Sequence, residues 1–325
     1  MLPRSRAVFS AFCLLAAALC CIACRARPNS TIAVIPRDSA EEIWVSEHGG
    51  TADAAYHHKL DIDWSGPTRD DDVEQQISLS EAAVRAGDYG LILSPNNSFA
   101  LDTVIQRALA KKMPVVILGS PIPIAPQRGL SFVLNDSEEM GTLAAKRAAE
   151  ILHGKGQVLV LGVDSLSPGS VERADAFERA LHQFAPAVHV VEEIPRSMSF
   201  GQAELASEQA IAAHPGLSAI FAVGINETRG AAAAVHNGAS QDKIKVIGCD
   251  QTIDLLFLLR RGGIDSLVIE DTRTMGNIAV HQIVAERHGQ TVPERRLVDP
   301  VLVTRANVDQ ARIQQILSLR WRPAP

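Results

Sequence analysis

From Thr31 onward, short apolar runs alternate with longer amphipathic segments, a pattern that predicts βαβ units and a parallel sheet. TIAVI (31–35) predicts a first strand, and the stretch from Trp44 to His58 a helix weakened by Gly49-Gly50. LDIDW (60–64) reads as a strand, and VEQQISLSEAAVRAG (73–87) as a helix closed by its glycine. GLILS (90–94), FALDTVIQRALAKK (99–112) and PVVILG (114–119) continue as strand, helix and strand. The pattern then restarts. SFVLN (131–135) leads into a helix over 137–154, with Ser137 as its N-cap and a glutamate at the supporting offset.

Strands over 157–162, 189–194, 218–223 and 243–250 follow, separated by helices over 171–184 and 201–214 and by one after Val223. The last third holds a helix (252–262), a strand (266–270), a helix (275–289) and an extended stretch, PVLVTRANV (300–308). Two successive α/β sets of similar length predict two similar lobes. No linker rich in Gly, Pro or Ser separates them, so the lobes share several crossings, and the last third supplies returning elements to both.

The first two dozen residues bear on compartment. Arg4 and Arg6 precede an uncharged run, residues 7–23, that ends in small side chains. That run is short for a membrane span of ~20 residues and fits the core of a signal peptide; a spanning anchor is the alternative. Four of the five cysteines (Cys13, Cys20, Cys21, Cys24) lie in or at the end of this run, leaving Cys249 alone beyond it. A disulfide within the mature chain is thereby excluded. The formal net charge of −6 and the absence of a basic stripe with interleaved aromatics argue against a nucleic-acid partner. Asp70-Asp71-Asp72 reads as a solvated loop, since hard-cation loops need more ligands at set spacing.

Three segments, AHPGLSAIFAVGINETRGAAAAV (213–235), KIKVIGCDQT (243–252) and SPGSVERADAF (167–177), together carry a resemblance. The chain resembles the ribose-binding-like periplasmic solute-binding proteins (type I), related to the ligand cores of the lactose-repressor family. The likeness runs from about Thr31 to about Asn307. It implies an α/β fold of two doubly wound parallel-sheet lobes joined by three hinge crossings, with a small polar ligand, a sugar, bound between them. The lobes are expected at 30–134 plus 271–297 and 135–270 plus 298–316, after a signal segment at 1–24. Ile22-Ala23-Cys24 resembles a lipobox, which makes Cys24 the lipidation site, although Cys21 stands where that pattern prefers Leu.

The resemblance also nominates side chains. Arg173 matches the family's ligand arginine, Asp250 its hydroxyl-accepting aspartate, and Trp44 an aromatic that stacks on the sugar ring. Each suits that work: a guanidinium offers several fixed donors, a carboxylate accepts hydroxyl hydrogens, and an indole faces apolar C–H groups. Arg37 follows the first strand, and Asn135 sits at the second crossing. Gly224 stands where many sugar binders carry asparagine, with Asn226 two residues on. Glu270 replaces a hinge glutamine, Ser120 an arginine, and Met198 lies near an expected aromatic. One arginine lost and one carboxylate gained point away from a simple ribose-type sugar, toward a differently substituted sugar, a polyol or an amine-bearing solute.

Enzymatic motifs are missing. His153-Gly154-Lys155-Gly156 precedes a strand, whereas a phosphate loop leads from a strand into a helix. His57-His58 has no carboxylate at metal-ligand spacing, and Cys249 reads as a core thiol. No cofactor, metal or catalysis is expected. The partners expected are a membrane permease of the ABC type or, alternatively, a chemoreceptor or kinase. The chain itself is expected to be a monomer held to the membrane by its lipid. A repressor core is disfavoured because an export segment stands where a helix-turn-helix would lie.

Overall fold

The computed structural model describes residues 29–165, 167–196 and 198–321; the export segment and Cys24 lie outside them. In chain order the first set is β1 (Thr31–Ile35), α1 (Glu42–His58), β2 (Asp61–Trp64), α2 (Val73–Ala86), β3 (Gly90–Leu93), α3 (Asp102–Ala110), β4 (Val115–Gly119) and β5 (Leu130–Asn135). The second is α4 (Ser137–Ile151), β6 (Lys155–Leu161), α5 (Pro168–Phe184), β7 (Ala187–Ile194), α6 (Phe200–Ala213), β8 (Leu217–Ala222), α7 (Ile225–Asn237), β9 (Lys245–Cys249), α8 (Ile253–Arg261) and β10 (Ser266–Ile269). The chain ends with α9 (Thr272–Arg287), β11 (Arg295–Val298), β12 (Val301–Thr304) and α10 (Ala311–Ile316).

Two six-stranded sheets result, in the orders β2-β1-β3-β4-β5-β11 and β7-β6-β8-β9-β10-β12. Both therefore repeat one doubly wound arrangement, with the first strand of each set flanked by the second and third. All pairings are parallel except β10 with β12. Strands covered on both faces read as unbroken apolar runs, and GLIL of β3 is buried at all four positions. Each sheet is sandwiched between two apolar clusters, one per face. The chain passes between sheets three times: at Asp136, at 270–271 and at 299–300.

Several boundaries differ from the sequence pattern, each for a local reason. The expected helix at 99–112 starts only at Asp102, because Asn97 accepts from the Phe99 and Ala100 amides and turns the chain there. The N-cap of α4 is Asp136 rather than Ser137: its carboxylate accepts from the Glu139 amide at 2.9 Å. Strand β11 was not anticipated, since RRLV at a sheet edge is mostly exposed and shows no apolar alternation.

Gly49-Gly50 lies within an unbroken α1, where it permits close contact with a neighbouring helix. A Cβ on Gly50 would overlap the Arg273 carbonyl, and one on Gly49 the Arg273 guanidinium and the Arg320 carbonyl. On the facing helix, a Cβ on Gly276 would come within 2.5 Å of the Glu47 carbonyl. Small residues on both surfaces thus let α1 and α9 approach backbone to backbone. Overpacking of this kind costs about 1–3 kcal/mol. Gly50→Ala is expected to lower unfolding stability in urea by that amount. Gly201→Ala, where no heavy atom lies within 4 Å of the added methyl, is expected to leave stability unchanged or raise it.

Candidate functional site

Open parallel sheets leave a crevice beyond the carboxyl ends of their strands, where the strand order reverses. Here two such crevices face each other. Loops leaving β1 and β3 bring Arg37, Asp38 and Ser94; loops leaving β6, β8 and β9 bring Asp164, Gly224 to Glu227, and Asp250. Together they enclose a cleft of about 240 Å³. Sites for drug-sized ligands run from about 300 to 1,000 Å³, so this one has room for a single small solute.

The eight side chains singled out from the sequence, Arg37, Trp44, Ser120, Asn135, Arg173, Asn226, Asp250 and Glu270, all line this cleft. Arg173, on α5, is only 6% exposed. It donates to the Val223 carbonyl at 2.7 Å and to Glu270 at 3.1 Å, and lies 3.7 Å from Asp250. Burial opposes its charge, but Cys249, Asp250 and Glu270 more than offset that, and its pKa rises. Asp250 follows β9 with φ at 66°, a left-handed conformation uncommon outside glycine and frequent at functional sites. Burial raises its pKa against the pull of Arg173 and of Arg37 across the cleft. One of its oxygens, Oδ1, is buried with no partner, as is Nε of Arg173. Glu270, on the second crossing, is likewise raised by burial and by Asp250, while Arg173 and a hydrogen bond from Asn135, which ends β5 at the first crossing and not at the second as expected, pull it down.

Trp44 is held by its indole N–H, which donates to Asp38 Oδ2 at 2.7 Å. The other oxygen of Asp38 accepts from the Ala40 and Glu41 amides and fixes the turn into α1. Asp70 lies in an exposed turn, as expected of a solvated loop, and from the rim of the cleft it stands 3.8 Å from Arg37. Its neighbours do local work, Asp71 pairing with Arg69 and Asp72 capping α2. Across the mouth of the cleft, Arg229 of α7 reaches Glu41 of the first lobe at 3.4 Å. The same guanidinium grips Asp254 through two bonds, pulling that carboxyl down to about 2.

Two acidic residues escaped the sequence reading. Glu227, the third residue of α7, is 7% exposed and lines the cleft. Burial pushes its carboxyl up to about 7, aided by Asp250 and Asp164 and resisted by bonds from its own amide and that of Met198. Its spacing from Ala231, Ala234 and Val235 places it on the buried face of α7, a signal readable from the sequence. Glu47, in α1, is fully buried behind the cleft wall and accepts from Ser94 Oγ at 3.1 Å. Burial and Glu270 push it up to about 8. Cys249 is buried and its thiol is pushed up to about 12, so it is no nucleophile. His58 meets His281 at 2.9 Å, yet among the described residues no three His, Cys, Asp or Glu side chains are grouped to hold a metal. Among them, too, no helix is long and apolar enough to cross a membrane.

Comparison with known proteins agrees with this geometry. The sequence profile described as a periplasmic binding protein domain matches residues 32–291. The D-apiose import binding protein of Paraburkholderia graminis is 24% identical over 242 residues, covering 73% of this chain and 76% of that protein. The ribose import binding protein of Bacillus subtilis is 26% identical over 224 residues, 68% of this chain and 70% of its own. Among solved structures, a sugar-binding protein of a Bacillus halodurans sugar ABC transporter superposes with a TM-score of 0.81 at 24% identity, over 86% of this chain and 99% of that one. An arabinose binding protein from Geobacillus stearothermophilus gives 0.80 at 25%, over 87% and 99%.

Two outcomes are expected from the electrostatics. Glu47 and Glu227 hold protons more tightly when folded than the ordinary value of 4.5, so stability is full below that pH and is lost as pH rises through about 7 to 8. The melting temperature without ligand is expected to fall between pH 5 and 8.5, and Glu47→Gln to flatten that slope. The Glu41–Arg229 pair is partly exposed and is worth about 0.2–1 kcal/mol. Glu41→Gln is therefore expected to shift the lobes toward an open form by at most about fivefold, read as a larger radius of gyration in small-angle scattering.

Proposed function

The chain belongs to the periplasmic binding protein family, and on that premise we propose that it is an exported receptor that takes a sugar between its two lobes and delivers it to an ABC permease. The observation that carries this reading is the pair of facing crevices with a polar floor and a fixed indole. Asp250 Oδ1 and Arg173 Nε, each buried without a partner, supply one acceptor and one donor of the kind a ring of hydroxyls would satisfy. Named relatives bind solutes of that class: D-apiose import, ribose import and sugar transport are the roles in their descriptions.

Arg173, Asp250 and Asn226 are the hydroxyl partners from the second lobe in this reading; Trp44 and Arg37 are those from the first. Ser120, Asn135 and Glu270 line the region where the chain crosses between lobes. We place the lobe boundaries at 134/135, 270/271 and 297/298, within about two residues of the points at which the chain passes between sheets. The site works by closure rather than by chemistry. Cys24 carries the lipid that holds the receptor at the outer face of the inner membrane, and a single chain completes the cleft.

A thermal-shift screen of monosaccharides tests the proposal. A ligand that binds only the folded state adds about 2.7 kcal/mol of stability at a hundredfold excess over its dissociation constant. At least one sugar is expected to raise the melting temperature. Asp250→Asn, which keeps the shape and removes the charge, is expected to weaken that sugar at least about tenfold. A panel of sugars and polyols with no shift would overturn the reading.

A further inference from the structure

Among the described residues, seven carboxylates line the cleft against two guanidiniums and no lysine or histidine. Most of that surplus is answered locally: Asp38 by backbone amides and Trp44, Glu41 by Arg229, Asp70 by Arg37. Asp250 and Glu270 divide a single guanidinium, that of Arg173. Among the described residues Glu227 has no ion pair, although it is only 7% exposed and faces the electrostatic push of both Asp164 and Asp250.

Burial works against a charge on Glu227, but the groups it touches favour one. The hydrogen bonds it makes are accepted from backbone amides, its own and that of Met198 at 3.1 Å, which favour the charged form and offer nothing to a carboxylic proton. Its place in the first turn of α7 adds the positive end of the helix dipole. Two glycines of the cleft wall make room for the group. A Cβ on Gly162 would overlap its side chain, and one on Gly224 would lie 2.7 Å from Oε2. The side chain missing at Gly224 is thus replaced in space by a carboxylate. Here a carboxyl that burial pulls toward neutrality, but whose amide partners and helix end favour the anion, stands at the wall of a solute cleft with no counter-ion among the described residues.

Resting on the sugar-receptor reading above, we propose that the solute is a polyhydroxylated amine, an amino sugar or aminocyclitol, whose ammonium is bound by Glu227 with Asp164 and Asp250 beside it. Arg173 and the remaining cleft groups then take the hydroxyls. The ammonium supplies a cation to Glu227, and its donors also match the open Oδ1 of Asp250.

The experiment is isothermal titration with the chain expressed with its own export segment. The probes are D-glucosamine, D-galactosamine and scyllo-inosamine, beside D-glucose, D-galactose, scyllo-inositol and the N-acetylated amino sugars. One free amine is expected to bind at least about tenfold more tightly than both its hydroxyl counterpart and its N-acetyl form, because a charge-assisted bond is replaced or blocked in each. In Glu227→Gln that preference is expected to vanish. The variant's melting temperature without ligand is expected to hold or rise, since a buried charge is replaced by a neutral amide, and this separates lost recognition from misfolding. Neutral sugars binding as tightly as the amines would overturn the proposal and leave the sugar receptor standing. An amine preference untouched by Glu227→Gln would overturn the assignment to that residue. No binding by either class would remove the sugar reading, and this inference with it.

Discussion

The guanidinium of Arg173 sits between two carboxylates in a place that water scarcely reaches. It holds Asp250 at the end of β9 and Glu270 on the crossing to α9, and its third anchor is the Val223 carbonyl after β8. Three separate pieces of chain therefore take their positions from one side chain. Removing it would leave two buried carboxylates uncompensated, a loss of about 3–5 kcal/mol for a broken buried pair. The arrangement is also incomplete in itself, because an oxygen of Asp250 and the Nε of Arg173 find no partner among the described residues. Polar groups left open at that depth are costly unless something else satisfies them. A site stable enough to fold, yet short of a few hydrogen bonds, is one in which a solute has something to complete.

Why the cleft lies where it does follows from the order of strands. The second strand of each set pairs outside the first and the third pairs on the other side, so the loops after β1 and β3, and after β6 and β8, part from one another. That parting is the crevice. The crossings at Asp136, 270–271 and 299–300 set the two crevices face to face, and the bond from Asn135 to Glu270 ties two of these crossings to the charged floor. Hinge and binding site thus share side chains. A change in the charge state of Glu270 is felt by both.

The fold was legible in the sequence because parallel strands buried on both faces leave long apolar words such as GLIL and VVILG, which local context scarcely disturbs. What escaped was decided by contacts between distant segments. RRLV pairs at an edge and needs no apolar pattern, and Gly49-Gly50 looks like a defect until α9 is laid against it. The eight nominated side chains came largely from a family pattern, and the structure gathers them into one cleft. Glu227 and Glu47 were missed for a physical reason: a carboxylate in an amphipathic helix is read as solvent-facing unless its phase is counted. Both sit on the inward phase, beside alanines and glycines that give them room. The run Asp70-Asp71-Asp72 is solvated as its composition suggests, and which partner each aspartate takes was beyond the sequence.

The balance between lobes limits what can drive closure. To carry a two-state equilibrium from 1:99 to 99:1, a ligand needs about 5.5 kcal/mol of preference for the closed form. The Glu41–Arg229 pair bridges the lobes but is partly exposed, and pairs of that kind supply about 0.2–1 kcal/mol. Asp70 and Glu41 of the first lobe border the same cleft as Asp164 and Glu227 of the second, and like charges in a drying cleft repel more strongly than in water. The attraction that holds the lobes together is therefore not built into the protein alone. It has to come from a solute that touches both walls, and a solute carrying positive charge would turn the same repulsion into the force that closes the cleft.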